Sequence, residues 1–216
     1  MTEPSQNLPR TLWAGLILLS GLVGLAVLLS LAERERQSLP VLGYIADFTL
    51  TNQEGQLTTL ADLTNYVWVA DIIFTRCAGP CPHMSAQMKT VQDALLPNSR
   101  ARLVTLTTDP DYDSPKVLKR YGERFGARFQ RWIFLTGTKA QIGSLAASSL
   151  KLGSTPVNPA DRKNAADLFI HTTIFVLVDK HARLRGIFET GGEDVDWENI
   201  VRPSLLADVR RLEREP

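Results

Sequence analysis

The chain begins with a long stretch that carries no charge. From position 11 to 32 every residue is uncharged, and Leu12, Leu16, Ile17, Leu18, Leu19, Leu22, Val23, Leu25, Val27, Leu28 and Leu29 dominate it, until Glu33-Arg34-Glu35-Arg36 ends it abruptly. These 22 residues, at about 1.5 Å each in a helix, match a hydrocarbon core of roughly 30 Å. The pattern predicts one transmembrane helix over 11–32, behind a short tail over 1–10. A tether over 33–41 would then lead to a folded domain over 42–216. Ser30-Leu31-Ala32 resembles a small-x-small cleavage site. The apolar run is nevertheless longer than the ~7–15 residues of a signal-peptide core, and only Arg10 and the terminal amine precede it, which favours an uncleaved anchor. Arg10 on one side faces Arg34 and Arg36 on the other, so positive charge does not orient the helix.

Past the tether the period changes. Residues 47–51 and 56–59 alternate around Asn52-Gln53-Glu54-Gly55 and predict a hairpin. Residues 66–74 (YVWVADIIF) form a near-continuous apolar run, as a strand buried on both faces does. Met84, Met88, Val91 and Leu95 recur at helical spacing up to Pro97. Residues 102–107 predict a further strand. Ser114-Pro115 reads as an N-cap and first helical position, with Gly126 closing that helix. A short strand at 132–135 precedes a capping box, Thr138 with Gln141, on a helix carrying Ile142, Leu145, Ala146 and Leu150. Residues 152–170 read as an irregular excursion. A hairpin over 172–178 and 183–190 and an amphipathic segment over 197–212, with Pro203 as its kink, end the chain. Strands alternating with helices predict a three-layer α/β domain.

Composition narrows the function. Basic and acidic residues nearly cancel, 24 against 23, for a net charge of +1, which argues against a nucleic-acid partner. Two cysteines in the whole chain exclude a disulfide-built scaffold. Both lie in Thr75-Arg76-Cys77-Ala78-Gly79-Pro80-Cys81-Pro82, at the C-terminal end of the apolar strand and just before a helix. That edge of an α/β sheet is where functional sites tend to lie. Residues four apart share a helical face, so both sulfurs can converge, and helix-end amides would favour a thiolate. Two such sulfurs either close a disulfide or hold a soft metal ion. Neither a four-ligand zinc pattern nor a Walker loop, GxGxxG or HExxH accompanies them.

The segment FTRCAGPCPHMSAQM resembles the CxxxCP region of the Sco/SenC family. TTDPDYDSPKVLKRYGERFGA, RWIFLTG and HTTIFVLVD resemble it further, in kind and in order, over roughly 42–188. The resemblance implies a thioredoxin-like three-layer domain with an N-terminal β-hairpin extension, and a copper ion bound by Cys77, Cys81 and His171. It also implies a copper-accepting subunit of cytochrome c oxidase as partner, with a role in metallating or reducing its dinuclear copper site, and a thiol reductant upstream. The expected location is the inner membrane, single-pass, with the domain on the periplasmic side. The alternative is a membrane-anchored thiol–disulfide oxidoreductase using Cys77 and Cys81 as its redox pair. The three-residue spacer and the place of His171-Thr172 favour copper; no second signature supports a peroxidase.

Other residues divide between chemistry and structure. His83 is expected in the exposed first turn of the helix and His181 in a hairpin turn. Met84 and Met88 are expected in the core. Asp109 and Asp113 match the family's acidic pair, open between turn chemistry and tuning of the site. Asp71, inside an apolar strand, requires partners or a shifted pKa. Many relatives carry an acidic residue between the cysteines, whereas Ala78-Gly79-Pro80 is uncharged, a change that bears on redox tuning more than on coordination.

Overall fold

The structure, a computed structural model, describes residues 13, 17–27, 38–156, 158 and 169–216; for 154–156 and 169–171 it describes the backbone alone. Two units emerge, Met1–Ser38 and Leu39–Pro216. In the first, residues 17–27 are helical. Among the described residues no helix is long and apolar enough to cross a membrane. The rest of the expected span, its Ser30-Leu31-Ala32 motif and the tether up to 37 lie outside the described residues.

The second unit is built on an eight-stranded mixed sheet in the order β1-β10-β9-β4-β5-β6-β2-β3. The strands are β1 (Gly43–Tyr44), β2 (Thr49–Asn52), β3 (Leu57–Thr59), β4 (Trp68–Ile73), β5 (Arg102–Thr107), β6 (Trp132–Thr136), β9 (Ile174–Val178) and β10 (Arg183–Glu189). The helices are α1 (Leu60–Leu63), α2 (Pro80–Ala94), α3 (Pro115–Arg124), α4 (Lys139–Gly143) and α5 (Arg202–Arg214). β4, β5 and β6 run parallel, and β9 runs antiparallel to β4.

All six residues of β4 are buried, so its two-residue period feeds two cores. Val69 and Ile73 pack with Met84, Met88 and Val91 of α2, Leu118 and Tyr121 of α3, and Leu205, Val209 and Leu212 of α5. Trp68, Ala70 and Ile72 face Leu60, Leu63, Ile142, Leu145 and Leu150 on the other side. The three layers follow from that alternation. Gly122 lets α3 lie close to the sheet, since a Cβ there would stand 2.8 Å from the rings of Phe129 and Phe134. Gly126, at φ +68°, ends the helix in the left-handed region that glycine adopts without steric cost.

The expected hairpin forms from β2 and β3 and extends the sheet by pairing β2 with β6. Four local expectations need correction. The excursion over 152–170 is not wholly irregular: β7 (Ser154–Pro156) pairs with β8 (Phe169–His171) in a separate ladder, with 157 and 159–168 outside the described residues. Ser114 takes the extended N-cap conformation but makes no capping hydrogen bond. The helix holding Ile142 passes into a π-helical turn at Ser144–Ser149. The final amphipathic segment is not one regular helix: a π-helical turn at Trp197–Val201 leads into α5, and Pro203 stands at this junction, in the first turn of α5.

Candidate metal and redox centre

The C-terminal ends of β4, β5 and β6 define one end of the sheet, and the cysteine loop leaves from it. The Cys77 N–H donates to the carbonyl of Phe74 at 3.1 Å, turning the chain back over the strand. Gly79 caps α2, and Pro80 opens it. The helix therefore starts before Cys81, not after Pro82 as the sequence suggested. Proline presets φ and has no N–H to leave unsatisfied at a helix start. Cys81 sits in the first turn, fully buried against the core, while Cys77 is half-buried at its edge. Both are reduced, with no disulfide between them.

A hydrogen bond between the two sulfurs, followed by burial, pushes the Cys81 thiol far above its ordinary value, and the nearby Asp71 carboxylate adds to the shift. These effects outweigh the helix-end amides expected to favour a thiolate there. The reduced pair thus holds its inner proton firmly, and a soft cation that takes the proton's place gains two sulfur donors at once.

Polar side chains brace this loop. Asp113 is fully buried and accepts from the Thr75 N–H at 3.1 Å, from the Thr75 hydroxyl, and from the Thr107 hydroxyl at 2.5 Å. Burial raises its pKa although these bonds oppose the rise. Asp109 pairs with Arg76 at 2.5 Å, and the guanidinium of Arg76 lies 4.1 Å from the centre of the Tyr112 ring. Below the pair, Asp71 accepts from Thr105 at 2.7 Å, and the Trp132 indole N–H donates to the same hydroxyl at 2.9 Å. Ser85 and Tyr121 share a 2.8 Å hydrogen bond within the core, and burial pushes the tyrosine upward.

The histidines separate by place. His83 is exposed, as expected for the first turn. His181 lies in the hairpin at the opposite end of the sheet, with Nε2 3.1 Å from the carbonyl oxygen of Pro216. The backbone of His171 ends β8, opposite Ser154. Because β9 pairs Val176 with Ala70 and runs antiparallel to β4, residues before Ile174 lie at the cysteine end of the sheet. The His171 side chain lies outside the described residues. Among the described residues no three His, Cys, Asp or Glu side chains converge in a metal-binding group. Met84 and Met88 are buried in the core, as expected.

Sequence reasoning missed Thr75, Arg76, Tyr112, Ser85 and Tyr121 as parts of this site. Arg76 adjoins Cys77 and could have been found from that adjacency. Tyr121 reads as one more apolar position of α3, and only its distance from Ser85 shows the phenol at work.

The SCO1/SenC family model matches residues 38–202. The SCO1 protein homolog of Bacillus subtilis is 31% identical over 159 residues, spanning 73% of this chain and 79% of that protein. Among solved structures, BsSco, a member of the Sco family of cytochrome c oxidase assembly proteins with a disulfide switch, superposes with a TM-score of 0.67 at 30% identity, covering 83% of this chain and 100% of its own. ScoI of Bradyrhizobium japonicum, solved with copper bound, shares the fold with a TM-score of 0.64 at 21% identity, covering 78% and 99%.

Proposed function

This chain belongs to the SCO1/SenC family, and from that premise we propose that it is a membrane-anchored copper carrier that serves the assembly of cytochrome c oxidase. In this reading Cys77 and Cys81 supply thiolates, His171 supplies an imidazole, and copper is cargo passed to the oxidase's copper-accepting subunit. The observation that carries it is the pair of reduced sulfurs in hydrogen-bonding contact at the end of β4, one half-buried and one buried. Sulfur donors suit a soft cation, and the half-exposed Cys77 gives a partner a sulfur to reach. The copper-bound ScoI supports the cargo, and BsSco supports the assembly role. The apolar run over 11–32 supports the anchor, and the thiol chemistry supports an oxidising compartment outside the cytoplasm.

A competition titration of copper against a chelator of known affinity tests the ligand set. His171→Ala is expected to weaken binding by more than the ~10–100-fold typical of residues behind the ligands, and His83→Ala to leave it unchanged. Equal affinity in His171→Ala would remove that histidine from the site. A C-terminal alkaline phosphatase fusion tests the topology, and an inactive fusion would overturn it.

A second activity rests on the same contact between sulfurs. In thiol–disulfide exchange, a thiolate of one chain attacks a disulfide sulfur of the other, and the thiolate released there takes up a proton. Repeating the step within the pair closes Cys77–Cys81 and leaves the target with two thiols, two electrons having moved. A closed pair has no thiolates to give a metal, so oxidised protein should take up little copper until a thiol reductant opens it. Equal uptake in both states, with thiol counts confirming them, would refute the gate.

A further inference from the structure

The end of the sheet away from the cysteines carries a dense positive surface. A cleft of about 440 Å³ opens there, and Arg100, Lys180, Arg210 and Arg214 line it against a single lining carboxylate, Glu213. Glu213 is already engaged: it accepts from the Ser99 hydroxyl at 2.9 Å and from the N–H groups of Arg100 and Ala101 at 2.8 and 3.1 Å. Arg102 and Arg100 lie over the Tyr66 ring beside the cleft, 4.2 and 5.1 Å from its centre. Helix chemistry accounts for part of this, since Arg211 and Arg214 occupy the last turn of α5, where cations oppose the dipole. Lys180, which follows β9, likewise meets the carbonyl at the helix's C-cap, but helix chemistry does not account for Arg102, which begins β5, or for Arg100 just before it. Burial, and then the charges of Arg128 and Arg102, push the pKa of Arg131 below its ordinary value; cations outnumber carboxylates around it.

The folded unit also begins at this end. Arg185 donates to the carbonyl of Leu39 at 2.6 Å while pairing with Asp179 and Glu215, and Lys180 reaches the carbonyl of Glu215. Six residues, 33–38, separate the apolar run from Leu39 in sequence, a reach of at most about 20 Å.

We propose that this basic end docks on the anionic headgroups of the bilayer that holds the anchor. The inference rests on the anchor reading above. The recognised group is the lipid phosphate, met by a cluster of arginines within reach of the surface; attraction of this kind falls off within ~8 Å at physiological salt. Docking would turn the cysteine end outward. β4 alone, six residues long, separates the ends by about 20 Å, so the sulfurs would face a partner from the side away from the lipid.

Hydrogen exchange on the full chain, reconstituted in vesicles, reads the docking directly. One set of vesicles is phosphatidylcholine alone, and the other contains about one-third phosphatidylglycerol. Exchange over 96–102 and 208–214 is expected to slow by about fivefold or more on the anionic vesicles and to recover in high salt. The combined variant Arg100→Glu, Arg210→Glu, Arg214→Glu should lose the protection, while Lys116→Glu at the cysteine end should keep it; unchanged exchange in the β4 core verifies that each variant is folded. Failure to co-sediment with either vesicle would overturn the anchor reading and this inference together. Co-sedimentation with both, but with equal exchange, would overturn the docking alone. Protection by soluble glycerol phosphate at matched phosphate would reassign the cleft to a small anion. Protection by polyglutamate but not by vesicles would reassign it to an acidic protein. Either result would overturn the bilayer proposal.

Discussion

Two arginine–aspartate pairs of the same length sit at opposite ends of the sheet. Arg76 meets Asp109 beside the cysteines at 2.5 Å, and Arg185 meets Asp179 at the far end at 2.5 Å. Their surroundings differ. The Arg76 side chain is 41% exposed over an Asp109 that is 9% exposed, whereas Arg185 and Asp179 are 2% and 3% exposed. Water reaches and screens the guanidinium of the first pair, so the arginine can leave its buried partner for solvent; the second pair has lost its hydration on both sides and relies on its partners. Arg185 accordingly gathers several: Asp179, Glu215 and the carbonyls of Leu39 and Pro40. Distance alone does not rank these contacts. Burial makes the far end a structural lock and leaves the cysteine end adjustable.

The largest effect should come from breaking that lock. Arg185→Met leaves the Asp179 carboxylate buried with only Arg183 and local amides to meet it, and should cost about 3–5 kcal/mol. Urea unfolding measures it. The double variant Arg185→Met, Asp179→Leu removes both charges and should recover much of the loss. A single-variant cost under about 1 kcal/mol would erase the contrast between the two ends.

Asp113 is the cysteine end's own buried anchor, and it comes next. Asp113→Ala removes three accepted hydrogen bonds and strands the hydroxyls of Thr75 and Thr107, at a cost of about 2–3 kcal/mol. Because Thr75 stands two residues before Cys77, the variant should also expose the sulfurs. Maleimide labelling of Cys81 in the folded state is expected to speed up. An unchanged labelling rate would show that Asp113 supports the sheet but not the loop.

What the sequence revealed follows from how local each signal is. β5 emerged with the bounds read from its pattern, 102–107, since a buried strand writes its own apolar run. The CxxxC loop, the Thr138–Gln141 box and the Gly126 terminus were equally readable, because each spans only a few residues. The brace of Asp113 on Thr75 crosses 38 positions, and the bond of Arg185 to Leu39 crosses 146. No periodicity encodes such pairs; Arg185 reads as an ordinary polar position in a hairpin strand until the fold buries it. The ladder of β7 and β8 escaped for another reason: its strands are three residues each, too short for a pattern.

Acid should act on the two ends with opposite sign. Burial pushes the Asp179 carboxyl up, but bonds from Arg183, Arg185 and His181 outweigh it, and the net shift is downward from 3.8. Its stabilisation is therefore full above the unfolded value and is lost as pH falls through the lower folded one. Burial dominates at Asp113, and its pKa is raised from 3.8. The folded protein then binds the proton more tightly than the unfolded chain, so this contribution is full below the unfolded value and declines as pH rises through the folded one. Denaturation series on wild type, Asp179→Asn and Asp113→Asn across the carboxylate range test both signs. The stability difference from wild type should grow with pH for Asp179→Asn and shrink with pH for Asp113→Asn. Parallel slopes would mean that burial does not separate the two carboxyls.

The smallest effect belongs to Arg76. Arg76→Gln removes an ion pair and a cation–π contact with Tyr112; Asp109 is buried, but the guanidinium and the ring are open to water, and pairs screened in this way contribute about 0–1 kcal/mol. Its urea midpoint should shift little and should shift less still in high salt, where wild type has already lost most of the attraction. Asp109, held on its other side by the Thr107 hydroxyl through its own N–H at 3.0 Å, keeps its backbone place without the arginine. The informative comparison is with Arg185→Met in the same salt series: the buried pair should be nearly indifferent to salt, and the exposed one sensitive to it. If Arg76→Gln instead cost as much as Arg185→Met and ignored salt, the cysteine loop would be locked as firmly as the far end, and a thiol pair fixed in that way could not open by local movement.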